Sequence, residues 1–318
     1  MADTTQSFHN TPAETLQGMA IMIFAAAFIP LLDVFGKMLV TTHQLSPGEV
    51  GMFRLLVQAV VTLPILLATD GFKGLRTTRP WLNVIRGLLL AVGTLSFFGA
   101  LRFMPLADAT AVFLVEPLIV TLLSALFLKE TIGWRRIVAV VIGFSGAMIV
   151  IRPSYAVFGL ASLLPLMAAL AVSFYLILSR IVSRGTRPLA MMVHAGLVGG
   201  LALAIAMAAG YDSGISELAF SWPASATAWV MLGAAGVVGT IGHLLFITAY
   251  RLAPASVLAP FGYVEIISAI GLGYVFFADM PDFAKWLGMA IIVASGLFVF
   301  VRERQTSGDT PTRVPPPH

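Results

Sequence analysis

Apolar residues form ten runs of about 20 residues, separated mostly by short polar segments, between residues 17 and 302. A helix that crosses a bilayer core of about 30 Å requires roughly this length of apolar sequence. The pattern therefore predicts an all-α polytopic membrane protein with ten transmembrane helices. We predict these helices at residues 17–40, 48–68, 81–101, 106–128, 134–152, 157–179, 188–210, 227–250, 255–277 and 284–302.

Composition supports a protein embedded in a lipid bilayer. Hydrophobic residues make up 58% of the chain and charged residues only 11%, which excludes an ordinary soluble domain. The chain has no cysteine, so disulfides, thiolate catalysis and cysteine-based metal sites are excluded. The net charge of +4 does not indicate nucleic-acid binding, because most of the basic residues lie in the loops between apolar runs.

The distribution of positive charge predicts the orientation. The segments that share a side with both termini hold most of the lysines and arginines, and the opposite side holds only Arg102, Arg152 and Lys285. The positive-inside rule then places the N- and C-termini in the cytoplasm of a bacterial-type cell, with the protein multi-pass in the inner membrane. The residues on the predicted cytoplasmic side are Lys73, Arg76, Arg79, Lys129, Arg135, Arg136, Arg180, Arg184, Arg187, Arg251, Arg302, Arg304 and Arg313.

The chain contains an internal repeat. Residues 93–105 align with residues 242–254, and the same register aligns Glu116 with Glu265. Each half contains five predicted helices, and because five is odd the second copy enters the membrane inverted. We expect a cytoplasmic N-terminal segment at 1–16, a first repeat at 17–152, a second repeat at 153–303 and a disordered cytoplasmic tail at 304–318.

Glu116 and Glu265 are the main candidates for a functional site. Each lies about ten residues inside an apolar run, which is about 15 Å deep at ~1.5 Å per residue. An acid at that depth costs about 2.5–3.5 kcal/mol on the insertion scale, so it marks a functional site by default. The pair can bind a positive group of a substrate, or take up and release a proton. The structural alternative is a pair of neutral acids hydrogen-bonded between helices.

Five further residues are candidates for substrate binding or coupling. Phe113 and Phe261 precede the two glutamates by about one turn, on the same helical face, although aromatic residues at this spacing more often only pack. His243 is either a proton relay or a packing residue. Asp33 and Lys37 have the spacing and order of an intrahelical ion pair, either a structural bridge or a gate near the external end.

Other polar, proline and glycine positions have more general roles. We expect Arg54 and Arg86 to be structural or to pair with internal acids, and Asp108 and Glu49 to be solvated near the external surface. Prolines that interrupt helices 1, 4 and 9 are expected to shape a cavity. They are Pro30, Pro117 and Pro260. Glycines of helix 8 are expected to allow close helix packing. They are Gly233, Gly236, Gly239 and Gly242.

The stretch from Pro105 to Pro153 resembles the end of an EamA-type repeat, with AVFLVEPLIVTLLSALFLKETIGWRRIVAVVIGFSGAMIVIRP as its core. On this basis the chain is similar to members of the drug/metabolite transporter superfamily over residues 17–303. The resemblance implies two inverted five-helix repeats, both termini inside and a central cavity. It implies substrates such as amino acids, nucleotide-sugar-like metabolites, riboflavin or S-adenosylmethionine. The acid–proline pair of helix 4 most resembles the riboflavin and S-adenosylmethionine branches.

These features favour a secondary transporter that moves a small organic metabolite by alternating access. Riboflavin uptake is our first expectation, because internal aromatic residues suit a flat ring system, and S-adenosylmethionine or an amino-acid-like metabolite is the alternative. Import and export both fit, as do proton coupling and facilitated diffusion.

We expect no enzyme, cofactor or metal site, because the histidines are scattered and neither a phosphate-binding loop nor a hydrolase motif is present. A membrane enzyme and a channel are the competing classes. We expect a monomer or a homodimer.

Overall fold

A computed structural model of the chain describes residues 11–128, 133–183, 185–211, 214–253 and 255–308. Its spans, including three that are broken into a and b parts, confirm the predicted all-α architecture with ten transmembrane helices. In chain order the helices are α1a (Pro12–Phe28), α1b (Pro30–Thr41), α2 (Pro47–Asp70), α3 (Pro80–Leu101), α4a (Leu106–Phe113), α4b (Glu116–Leu128), α5 (Trp134–Phe158), α6 (Leu164–Val182), α7 (Pro188–Ala209), α8 (Ala226–Leu252), α9a (Ala255–Gly262), α9b (Val264–Phe277) and α10 (Phe283–Gly308). Short 3₁₀ helices occur at Phe72–Leu75, Gly159–Leu163 and Ser216–Leu218.

The first helix begins earlier than the predicted residue 17. Pro12 occupies its first turn, where a missing N–H costs nothing, and Thr11 caps it. The Thr11 hydroxyl accepts a hydrogen bond from the Glu14 amide at 3.2 Å, and the Glu14 carboxylate accepts one from the Thr11 amide at 2.7 Å. This reciprocal capping box moves the helix start into the predicted N-terminal segment. Residues 1–10 of that segment lie outside the described residues.

Three predicted helix boundaries later in the chain are wrong. Helix α5 continues past the predicted end at residue 152 and stops at Gly159, whose φ of 59° ends the helix at no steric cost. Helix α6 consequently begins at Leu164 rather than 157. Helix α10 continues through residue 308, into the segment predicted as a tail, and residues 309–318 of that segment lie outside the described residues.

Spans 1, 4 and 9 are broken near the prolines that the sequence singled out. The breaks fall at Ile29, at residues 114–115 and at Tyr263. Two backbone carbonyls near them accept side-chain hydrogen bonds from other spans. The Ala27 carbonyl accepts from Ser268 at 2.6 Å, and the Glu116 carbonyl accepts from Ser173 at 3.2 Å. Broken spanning helices are stable only where protein or a cavity supports the freed backbone, so these breaks surround the interior of the bundle.

The two halves pack with an approximate twofold relationship. Helix α3 packs on α6, and the equivalent helices of the other half, α8 and α1, also pack together. Helices α2 and α7 pack on each other, as do α5 and α10, so these pairs map onto themselves when the halves are exchanged. With five spans per half, this arrangement gives the two inverted five-helix repeats that the sequence predicted.

Apolar side chains cover the outside of the bundle. Val60, Val141, Ile205 and Val275 are each at least 64% exposed, which suits a surface that faces lipid rather than water. Inside, glycines of α8 allow close packing as predicted. A Cβ on Gly236 would overlap Val57 of α2, and one on Gly242 would overlap Ile29, whereas Gly233 faces open space.

Candidate functional site

Glu116 and Glu265 lie at the N-terminal ends of two equivalent half-helices. Glu116 is the first residue of α4b, and Glu265 is the second residue of α9b, directly after the break at Tyr263. The first turn of a helix presents backbone N–H groups without helical partners and the positive end of the helix dipole. Each break therefore provides a local environment that stabilises a carboxylate, halfway through a spanning segment.

Three carboxylates converge in the interior. Glu265 interacts electrostatically with both Asp33 of α1b and Glu116 of α4b. The side chains of Glu116 and Glu265 remain partly exposed, whereas Asp33 is 7% exposed. We call Asp33, Glu116 and Glu265 the acid cluster. Since like charges at close range repel one another, the cluster favours an added positive charge, either a cation or a proton.

A buried arginine lies beside the acid cluster. Arg54 of α2 is 6% exposed, and its Nη1 donates to the hydroxyl of Thr94 at 3.0 Å. Its charge interacts with Asp33, and its Nε has no hydrogen-bond partner within the described part of the chain. The guanidinium lies against α8 at Gly239, where a Cβ would lie 3.4 Å from Nε. The interior therefore holds a cationic group as well as three acids.

His243 joins this region from α8. Its Nδ1 lies 2.8 Å from the Gly239 carbonyl oxygen, which can only accept, so Nδ1 is the nitrogen that carries hydrogen. The ring also interacts electrostatically with Arg54. In the neutral ring this arrangement leaves Nε2 as the acceptor. The structure thus brings His243 together with Arg54 and, through Arg54, with Asp33.

Aromatic residues line the same interior. Phe113 packs edge-to-face on Phe97 with ring centroids 5.3 Å apart, whereas Phe261 packs with Met22, Ala249 and Leu258. Tyr263, at the α9 break, interacts electrostatically with Glu116, and its hydroxyl occupies the space beside Gly296. Each candidate phenylalanine thus has packing partners.

Residues 16–152 and 159–301 each match the EamA-like transporter family, so the two matches cover both halves. The chain belongs to the EamA-like transporter family. It is a multi-pass membrane protein of a family of transporters, which agrees with the resemblance found in the sequence.

Two curated relatives of this EamA-like transporter carry different substrate names. An S-adenosylmethionine uptake transporter of Rickettsia prowazekii is 27% identical, with 92% of this chain and 95% of the relative covered. A riboflavin transporter of Brucella anthropi is 31% identical, with 83% of this chain and 90% of the relative covered. A solved structure titled "Crystal structure of protein" has a TM-score of 0.61 at 20% identity, covering 92% of this chain and 98% of that chain. That similarity supports the fold.

The predicted ion pair of Asp33 with Lys37 in the EamA-like transporter is wrong. Lys37 Nζ instead lies 2.8 Å from a carboxylate oxygen of Asp279, donates to the Met104 carbonyl at 3.1 Å and lies 4.6 Å from the ring centroid of Phe277. The intrahelical spacing is favourable, but Lys37 reaches partners on other elements, and Asp33 faces Arg54. The two residues therefore belong to different charge networks.

Asp108 and Glu49 are also not solvated, as the sequence had suggested. Both are completely buried. Asp108 lies 2.6 Å from Lys285 Nζ, and Glu49 accepts a hydrogen bond from the Ser221 amide at 3.3 Å. Their positions near helix ends are as predicted, but neighbouring elements cover those ends and replace water with protein partners.

Sequence reasoning did not identify Asp279 or Lys285 as partners of residues in the first half. The available signal was that each charge lies next to a helix end on the same side of the bundle as Lys37 and Asp108. Arg86 was predicted to be structural or to pair with an internal acid. Its guanidinium carbon lies 4.8 Å from the Tyr175 ring centroid, and its side chain donates to Ser179 at 2.8 Å. It is 1% exposed, so it does not extend to the membrane surface.

Proposed function

We propose that this EamA-like transporter is a secondary carrier that binds a small organic solute at the acid cluster and moves it by alternating access. The observation that supports this proposal is the convergence of Asp33, Glu116 and Glu265 from both halves of an inverted repeat. Broken helices that present their ends to a midplane site are the usual construction of such carriers.

Glu116 and Glu265 act as the principal ligands for a cationic or hydrogen-bonding group in this proposal. They lie at equivalent positions of the two halves, so relative movement of the halves changes the distance between their carboxylates. A solute held by both acids is consequently sensitive to the state of the carrier. A proton that binds in place of the cation has the same effect on the repulsion within the cluster.

The charge pattern favours a zwitterionic solute of the S-adenosylmethionine type. Its sulfonium and ammonium groups suit the acid cluster, and its carboxylate suits Arg54, whose buried Nε has no hydrogen-bond partner among the residues that the structure describes. The site contains both an arginine and carboxylates. These groups can form charge-assisted hydrogen bonds with the opposite charges of such a solute. The relative in Rickettsia prowazekii carries this substrate in its name.

Riboflavin was the first expectation from the sequence, and it is the second candidate in this proposal. The packed pair of Phe97 and Phe113 and the tyrosines at 175 and 263 offer aromatic surface to an isoalloxazine ring. A protonated carboxyl group of the acid cluster can also donate a hydrogen bond to such a ring. Riboflavin itself has no charge that requires three acids and an arginine.

The proposed orientation places both termini in the cytoplasm. It rests on the distribution of lysine and arginine between the two sides of the ten spans. In this orientation Lys37, Asp108, Asp279 and Lys285 lie at the external end. His243 contacts the Gly239 carbonyl through Nδ1, so Nε2 is the ring nitrogen that can exchange a proton with solute or water in this proposal.

Counterflow in proteoliposomes tests the proposal. Vesicles preloaded with unlabelled S-adenosylmethionine should accumulate the labelled compound transiently, and a second set should be preloaded with riboflavin. A carrier gives counterflow with its solute, a channel gives only equilibration, and an enzyme gives a chemically altered product. Equilibration without counterflow for both solutes and for an amino-acid mixture would refute a carrier for these classes.

A further inference from the structure

Two ion pairs join the halves at one end of the bundle. Lys37 of α1b pairs with Asp279 after α9b, and Lys285 of α10 pairs with Asp108 of α4a, so each pair has one member from each half. The end that carries these four residues is called the Lys37 end, and the two contacts are called the cross-half ion pairs.

The Lys37 end is packed, whereas the equivalent contact at the opposite end is not. Helix α4a packs on α9b at the Lys37 end. The twofold relationship makes α4b and α9a the equivalent pair at the opposite end, and within the described ranges those two helices make few or no contacts. Tyr250, near the opposite end, is 50% exposed and interacts electrostatically with Glu116. The structure is therefore closed at the Lys37 end and more open at the other.

The cross-half ion pairs lie at the boundary of this closure. A pocket of about 390 Å³ opens at the surface of the Lys37 end and is lined by Lys37, Asp279 and Lys285 among others. Asp108 on the inner side of the pair is only 1% exposed at its side chain, and Lys285 is 14% exposed. Water thus reaches one side of these pairs, and packed protein covers the other.

We propose that the cross-half ion pairs hold the Lys37 end closed and separate each time the carrier opens there. This inference rests on the alternating-access function proposed above. A partly buried ion pair gains Coulomb energy but loses hydration, and the two terms nearly cancel. Separation lets water enter and hydrate all four charges, so the closed and open states stay close in free energy. A carrier needs such a small difference, because both states must be populated during transport.

The cross-half ion pairs also indicate which helices must separate when the Lys37 end opens. Lys37 is held by the Met104 carbonyl and the Phe277 ring in addition to Asp279. Opening therefore separates α1b and α4a of the first half from the α9b–α10 connection of the second. Asp33 lies on α1b together with Lys37. Glu265 lies on α9b, which ends two residues before Asp279. Separation at the Lys37 end accordingly changes the geometry of the acid cluster.

An engineered disulfide tests the closure. A Cβ on Gly273 would lie 3.8 Å from the Cβ of Leu106, which is the mean Cβ separation of natural disulfides, and the two positions belong to different halves. Because the natural chain has no cysteine, Leu106→Cys combined with Gly273→Cys introduces the only thiols. We expect oxidation to form the disulfide in the empty protein and to abolish counterflow, and reduction to restore it.

Two results would overturn the proposal at this stage. One is that the pair fails to cross-link, which would mean that this end is not closed. The other is that oxidised and reduced proteins give equal counterflow, which would mean that the end need not open. Each single-cysteine variant under the same oxidant controls for oxidation elsewhere.

The cross-linking rate tests the ion pairs themselves and does not require an identified substrate. We expect Asp108→Asn with Asp279→Asn, added to the cysteine pair, to slow cross-linking about tenfold. Each substitution leaves a partly buried lysine without its counter-charge in the closed state, so the equilibrium shifts toward the open state. Exchanging the charges with Lys37→Asp and Asp279→Lys should restore much of the rate lost in Asp279→Asn. Glu217→Gln is the matched control, since its 4.0 Å contact with Arg102 is exposed. A rate that is unchanged by both neutral substitutions would refute a closing role, even if the counterflow experiments fail for every solute.

Discussion

Glu116 and Glu265 occupy the first turns of α4b and α9b, and their carboxylates interact electrostatically across the interface between the two halves. Because the same position is acidic in both repeats, the two halves contribute equivalent charges to the same interior space. The repulsion between them decreases when a cation or proton binds. This relationship connects the sequence repeat directly to the proposed binding event.

Arg54 is expected to recognise the carboxylate of the solute. Arg54→Gln should weaken S-adenosylmethionine counterflow by about ten- to a hundredfold, because hydrogen bonds between charged groups contribute about 1.5–3 kcal/mol. The methyl ester of S-adenosylmethionine, which lacks the carboxylate charge, should be affected much less. Equal losses for both compounds would contradict a role of Arg54 in solute recognition.

A double variant separates this role from simple neutralisation of Asp33. If Arg54 only compensates the charge of Asp33, then Asp33→Asn with Arg54→Gln removes both charges and should recover activity. Asp33 itself belongs to the acid cluster, so the reference is Asp33→Asn alone. Relative to that variant, we expect the added Arg54→Gln to lower counterflow of S-adenosylmethionine further, and that of its methyl ester much less. Concentration dependence of the initial counterflow rate distinguishes weaker binding from a slower cycle.

Gly296 is expected to position Tyr263 at the α9 break. Gly296→Ala places a methyl group where the Tyr263 hydroxyl lies, so the ring must move and its position relative to Glu116 changes, and transport should fall. Gly233→Ala is the matched control, because that helix position faces open space and alanine there stabilises a helix by about 0.5–1 kcal/mol. Thermal unfolding and counterflow should be measured for both. Equal behaviour of the two variants would show that the Tyr263 position is unimportant.

Much of the fold could be predicted from the sequence, because a bilayer imposes a simple rule on helix length. Apolar runs predict the ten spans, and an odd number of helices in each repeat predicts the two inverted halves. Proline chemistry predicts the breaks near Pro30, Pro117 and Pro260. The end of α5 could not be placed in this way. The apolar run predicted an end at residue 152, whereas the helix ends where Gly159 adopts a positive φ.

The pairing of charges was less predictable than the positions of the acids. Depth within an apolar run identified Glu116 and Glu265 without any tertiary contact. Lys37 and Asp108 depend on partners more than 150 residues away in the chain, and local spacing suggested Asp33 for Lys37 instead. Long-range ion pairs are decided by how the halves dock, and the repeat itself does not encode that docking.

Arg86 is expected to stabilise the protein rather than to select the solute. It donates to Asn83 at 2.7 Å and to Ser179 at 2.8 Å, and it is 1% exposed. Arg86→Ala should lower the free energy of unfolding by about 1.5–3 kcal/mol for each charged hydrogen bond that it leaves unmade. Thermal unfolding in detergent should show the loss. A variant that unfolds as the wild type does but changes solute preference would contradict this assignment.

Labelling of single cysteines tests the proposed orientation. Lys73 and Ser216 are both exposed and lie on opposite sides of the predicted membrane, and the natural chain has no competing thiol. In intact cells a membrane-impermeant maleimide should label Ser216→Cys and not Lys73→Cys, and inverted vesicles should give the reverse. The opposite pattern would show that the termini are outside.

Counterflow by Glu116→Gln and Glu265→Gln tests the central claim most directly. Both substitutions keep the shape of the side chain and remove its charge, and Glu217→Gln provides the control at the exposed surface. We predict that each of the first two reduces counterflow by about tenfold or more, at unchanged protein levels in the membrane, whereas the control is unaffected. Normal counterflow by both Glu116→Gln and Glu265→Gln would contradict the account.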